Sequence, residues 1–130
     1  MRIITVLLAL AMAAPALAWA QPPATPPAVT VRLSSFSFDP AHLHVRVGIP
    51  VHLELKNVSN GRHNFSAPAF FAASRFLPGS ATPADGAIEV GANQSVMVAL
   101  VPRFPGKYPL LCTHFLHSLF GMSGTIEVTP

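Results

Sequence analysis

The sequence predicts an all-β fold, an antiparallel sandwich of two sheets. Three observations predict it. Apolar and polar residues alternate with a period of two over several short segments. Turn-forming groups, Asp39-Pro40, Gly48-Ile49-Pro50 and Pro105-Gly106, separate those segments. Only residues 67–85 interrupt the alternation at length, as a short helix or loop insertion.

The chain has 130 residues. Residues 1–20, MRIITVLLALAMAAPALAWA, carry a single charge, Arg2, and then an apolar run to Ala14. Ala16-Leu17-Ala18 and Ala18-Trp19-Ala20 follow as small-residue cleavage patterns. This is the layout of a secretory signal peptide, so the expected product is a periplasmic protein starting at Gln21, or at Trp19 if the first site is used. A membrane anchor is the competing reading. Pro15 breaks the apolar run and no basic stop-transfer cluster follows, so no membrane insertion is expected after cleavage. Residues 21–28, QPPATPPA, read as a Pro-rich extended leader. Residues 29–130 form one domain.

Within that domain Val29, Val31 and Leu33 alternate with polar residues. So do Leu43, Val45 and Val47, and then Val51, Leu53 and Leu55. Each set reads as a half-buried strand. Residues 66–86 have no strand alternation; their Ala-rich centre predicts a short helix and their end a loop. Strands resume at Ile88–Val90, at Ser95–Val101, after Pro105-Gly106, and in the closing SGTIEVTP. Eight basic residues, Arg2 among them, oppose five acidic ones and are scattered singly, so no nucleic-acid partner is expected. No Gly-rich phosphate loop and no Ser/His/Asp nucleophile signature is present.

The chemistry gathers near the C-terminus. Cys112, the one cysteine, lies in CTHFLHSLFGM with His114, His117 and Met122. A lone thiol in an oxidising compartment has to be buried, paired with another chain or held as a metal thiolate. Cys112, His117 and Met122 are spaced C-x4-H-x4-M, a thiolate, an imidazole and a thioether. Such soft donors suit copper, and two histidines with a cysteine and a weak axial methionine make a blue-copper electron-transfer site. The second histidine has to come from elsewhere. His63, in NGRHNF after the Val51–Asn57 segment, is the best candidate, reaching the site from a loop. Calcium and magnesium are disfavoured because the nearest carboxylate after Cys112 is Glu127, in the closing strand. Zinc accepts Cys and His, but Met122 has no role in a zinc site.

GKYPLLCTHFLHSLFGMSGTIEV resembles the copper-binding end of the small cupredoxins, such as plastocyanin, azurin and auracyanin. HNF at His63–Phe65 resembles their upstream ligand segment, and VGANQSVMVAL the strand before the cysteine hairpin. The resemblance covers most of residues 29–129. It implies a Greek-key sandwich of about eight strands holding one copper ion that cycles between Cu(II) and Cu(I). The implied metal ligands are His63, Cys112, His117 and Met122. Asn64 corresponds to a residue that hydrogen-bonds the loop or the cysteine sulfur. The chain departs from the plastocyanin-like pattern in having four residues, not two, between Cys and His, as azurin and auracyanin do. Phe115-Leu116 replaces a frequent Pro-Gly pair, and His114 is an additional histidine.

His117 rather than His114 is expected as the ligand. It alone keeps the family's spacing to the methionine, and His114 follows the cysteine too closely for the loop to fold back. His114 then faces solvent or orients a ligand, with a proton-sensitive role as a hypothesis. Met97 reads as strand packing. His42, His44 and His52 read as solvated histidines on polar strand phases. His42 and His44 lie on one strand face and so pair for a second metal, but the sequence supplies no third ligand. Phe115, Leu116, Leu119 and Phe120 either shield the metal or form an apolar patch near His117 where redox partner proteins dock. Two functions fit these ligands: single-electron carriage by an exported monomer, and periplasmic copper delivery to an acceptor protein. Enzymatic activity is not expected, because four protein ligands leave no open position.

Overall fold

The computed structural model describes residues 18–21, 28–117 and 119–130. The signal-peptide and leader expectations therefore fall almost wholly outside the described residues. Strands are numbered along the chain. One sheet has the order β2 (Ser37–Asp39), β1 (Ala28–Ser34), β4 (Val51–Asn57), β8 (Ser95–Pro102) and β6 (Ser74–Phe76). The other has the order β3 (His42–Arg46), β10 (Ser123–Thr129), β9 (Gly106–Leu111), β5 (His63–Ser66) and β7 (Ala87–Val90). One helix, α1 (Pro68–Ala72), follows β5. Among the described residues no helix is long and apolar enough to cross a membrane.

The period-two pattern becomes an inside and an outside. Val31 and Leu33 of β1 and Leu53 and Leu55 of β4 are buried from one sheet; Leu43 and Val45 of β3 and Ile126 and Val128 of β10 are buried from the other. Phe38 on β2 meets Phe65 on β5 edge-on at 5.9 Å, which ties the two layers together. Each such side chain contributes about 1.5–3 kcal/mol on burial. This packing sets the frame that carries the site.

The pairing is mixed rather than antiparallel throughout. β1 runs parallel to β4, and β3 parallel to β10. The cause is the path of the chain: after β2 it crosses to the opposite sheet for β3 and returns for β4, so β1 and β4 are joined by a crossover instead of a hairpin. The 66–86 region also departs from expectation. Its helix is present, with Pro68 in the first turn and Phe70 and Phe71 buried, but β6 follows and pairs with the end of β8 through Ser74↔Pro102 and Phe76↔Leu100. Near the site, β10 starts against the β2–β3 crossing. Thr125 N donates to Ala41 O at 2.9 Å, and a Cβ on Gly124 would collide with that same carbonyl oxygen. Glycine is required there by close backbone approach.

Candidate metal centre

Cys112 follows directly on β9, and Met122 directly precedes β10. Residues 113–117 and 119–121 bulge out between two paired strands. Cys112 N donates to Met122 O at 3.1 Å and Met122 N to His117 O at 3.0 Å. His117 N donates in turn to His114 O at 3.0 Å. The loop closes through left-handed residues, Leu116 (φ 63°) and Gly121 (φ 95°). Three residues of the C-x4-H-x4-M spacing are thus bound to one another through the backbone. His63 is not a loop residue, as the sequence suggested, but the first residue of β5. β5 is an interior strand, paired with β7 through His63↔Val90 and with β9 through Ser66↔Leu111. The sheet carries His63 to Cys112.

The donor atoms converge. His63 Nδ1 lies 3.1 Å from His117 Nδ1 and 3.9 Å from Cys112 Sγ. Cys112 Sγ lies 3.3 Å from His117 Nδ1. Two donors on one ion, each at about 2.0–2.3 Å, stand about 3 to 4 Å apart at angles of about 90–120°. The three separations fit ligands of a single ion. Cys112 and Met122 are fully buried and His63 nearly so, whereas His117 is half-buried. Among the described residues no other cluster of three His, Cys, Asp or Glu side chains converges in this way.

A second layer of polar contacts orients these groups. His63 Nε2 lies 2.9 Å from Ser59 Oγ. That hydroxyl is in turn 2.9 Å from Oδ1 of buried Asn57, whose amide also donates to Gly61 O and Val90 O. A proton held on Nε2 for Ser59 leaves Nδ1 with its lone pair toward Cys112. Asn64 acts as expected: its backbone N–H points at Cys112 Sγ at 3.5 Å, and its side chain clamps Thr113 in both directions, at 2.8 and 2.9 Å. Asn64 also donates to Glu89 Oε1 at 3.0 Å.

Glu89 reaches His114 as well, with Oε2 2.8 Å from Nε2, and Arg62 stands 3.8 Å away. His114 is therefore held to β7, with its ring stacked on His117 at 5.7 Å between centroids. Desolvation opposes charge on Glu89, yet the hydrogen bonds from Asn64 and His114 and the nearby cations His114 and Arg62 hold its carboxyl below the usual range. Burial, and then the charges of His117 and His114, hold His63 below the usual histidine value.

Outward of His117 the surface is apolar. Phe115, Leu119 and Phe120 are 86%, 75% and 61% exposed, so each presents most of its side chain to solvent. Phe36, at the left-handed turn between β1 and β2, meets His117 edge-on at 5.4 Å and Phe120 at 5.3 Å. Sequence reasoning missed Phe36, Ser59, Asn57, Thr113 and Glu89. The Asn57-Val58-Ser59-Asn60-Gly61 turn composition signalled side-chain-to-backbone hydrogen bonding for two of them; nothing local signalled the others. Phe65, Phe70 and Phe71 belong to the core.

Solved structures share this architecture. Dithionite-reduced auracyanin from the photosynthetic bacterium Roseiflexus castenholzii is 21% identical, over 78% of this chain and 95% of that one, with a TM-score of 0.59. Auracyanin B is 27% identical, over 82% and 92% of the two chains, with a TM-score of 0.57. A multicopper oxidase from Campylobacter jejuni, 17% identical, covers 88% of this chain but only 32% of its own, with a TM-score of 0.58. Comparison with curated proteins gives no significant match. Residues 2–128 match the cupredoxin-like domain family. With the two-sheet frame and a His, Cys and His converging at the neck of the β9–β10 hairpin, the match has one consequence: this chain belongs to the cupredoxin-like family.

Proposed function

We propose that the chain is an exported copper protein that carries single electrons between redox partners. His63 and His117 would hold one ion through Nδ1, Cys112 through Sγ, and Met122 through its thioether. The observation that carries this reading is the convergence of two Nδ1 atoms and one Sγ at 3.1, 3.3 and 3.9 Å in a mostly buried pocket. Imidazole, thiolate and thioether together suit copper better than zinc. When bound, copper supplies a one-electron Cu(II)/Cu(I) couple.

The protein's own residues do the remaining work. β5 fixes His63, the ends of β9 and β10 fix Cys112 and Met122, and backbone hydrogen bonds at the hairpin neck hold His117. The Asn64 N–H directed at Sγ offsets charge on the thiolate. The His117 ring, half-buried beside Phe36, gives electrons a short route to the surface. The apolar patch around it suits a small, weak encounter with a redox partner protein. Four protein ligands leave no open position for a substrate, which supports a carrier rather than an enzyme. Export to the periplasm and a monomeric state complete the reading, export resting on the composition of residues 1–20.

The test is spectroscopic. Protein loaded with Cu(II) should show an intense thiolate-to-copper visible band, and Cys112→Ser should abolish it. A colourless wild-type complex would sink the reading. A reversible couple with fast self-exchange separates electron carriage from copper delivery, which predicts ready hand-off to an acceptor and slow self-exchange.

A further inference from the structure

A second pair of imidazoles lies on the outer face of β3 and β10. His42 and His44 are two residues apart on β3, so both side chains leave the same face of the sheet. The parallel register sets His42 opposite Thr125 and His44 opposite Glu127. Each ring meets its cross-strand neighbour through Nδ1. His42 Nδ1 is 2.7 Å from Thr125 Oγ1, and His44 Nδ1 is 3.4 Å from Glu127 Oε2. The Glu127 carboxylate can accept only a proton held on Nδ1 of His44, and the Thr125 hydroxyl is placed to accept one from Nδ1 of His42. In both rings that tautomer leaves Nε2 with a lone pair. Metal-ligating histidines are oriented in this manner, one ring nitrogen occupied by a neighbour and the other free. The side chain of His44 is 68% exposed and His42 is also exposed, so a cation reaches them without unfolding.

We propose that His42 and His44 form a surface site for a borderline divalent cation, Cu(II) or Zn(II), bound through the two Nε2 atoms. Thr125 and Glu127 orient the rings, and water completes the coordination. With no sulfur donor, the site favours Cu(II) over Zn(II) by the general order of divalent affinities and does not select Cu(I). It shares β10 with the Cys112 centre but no ligand, since Thr125 lies three residues, about 10 Å of strand, beyond Met122. His52, on β4 of the other sheet, sits opposite Ala99 and Ala28. Neither neighbour can orient its ring, so it serves as the internal control.

Titration of the full chain with Cu(II) should reveal a second, weaker equivalent that adds no intense visible band and shows nitrogen coupling in its EPR signal. His42→Ala and His44→Ala should each weaken that equivalent at least tenfold, Glu127→Gln several-fold, and His52→Ala not at all. The second equivalent should persist in Cys112→Ser, which makes failure here distinguishable from failure of the copper-carrier reading. NMR resonances of the His42 and His44 rings should broaden first when Cu(II) is added to the wild type beyond one equivalent. A stoichiometry of one, or a second equivalent indifferent to both alanine variants, would overturn the proposal, as would first broadening at His52.

Discussion

His63 and His117 meet at Cys112 from opposite kinds of support. His63 opens an interior strand, is 3% exposed, and has its outer nitrogen fixed by Ser59. His117 rides on the 113–121 loop, half-buried, and leans on Phe36 and His114. One histidine is held by the sheet and cannot be reached from solvent. The other is held by a hairpin neck and forms part of the surface. The contrast teaches that one half of the centre is set by the sheet and the other by a loop open to the surface.

Removing each imidazole gives the largest and clearest test. His63→Gly and His117→Gly should both lose the visible band of the copper-loaded protein. Added imidazole should restore it in His117→Gly, where the half-buried ring leaves a space open to the surface. It should fail in His63→Gly, where the space lies beneath the sheet. Equal rescue of both variants, read by visible absorption, would erase the distinction.

The next effect concerns what holds the buried ring. Ser59→Ala removes the hydroxyl at Nε2 and leaves Asn57 Oδ1 with one contact fewer. Loss of such an orienting partner costs about 10–100-fold in metal affinity. Competition with a chelator measures it, and Ser59→Thr should recover most of the loss. On the exposed side, Leu119→Ser with Phe120→Ser should slow electron exchange with a partner several-fold while leaving the visible spectrum unchanged. A change in spectrum would mean that these residues support the ligands after all.

The same contrast explains what could be read in advance. Cys112, His117 and Met122 lie in one short loop, so spacing alone put them together. The inward residues of β1, β3, β4 and β10 follow from strict alternation. Strand direction did not follow, because alternation looks the same in parallel and antiparallel pairs. β5 escaped notice as a strand because His63, Asn64, Phe65 and Ser66 are all buried and leave no period of two. Glu89 meets Asn64 only through the β5–β7 register, in which the two residues are directly opposite. Phe36 reaches His117 only because the β1–β2 turn takes a left-handed residue at that point.

The smallest effect is on pH. His63 is held below its usual value of 6.5 by burial first, and then by the charges of His117 and His114. Between its folded value and that of the unfolded chain, the unfolded state binds more protons, so stability rises with pH through that window. Metal-free protein should therefore lose stability as pH falls below about 6.5, read as a lower urea midpoint. Glu89 acts lower down: its carboxyl is held below 4.5, so its contribution is kept above that value and lost only under more acid conditions. A comparison between about pH 7.5 and pH 5.5 thus isolates the histidines. His63→Gln should flatten the slope there, because the buried ring that resists protonation is gone. A slope unchanged by that substitution would mean that the buried ring does not carry the pH dependence assigned to it.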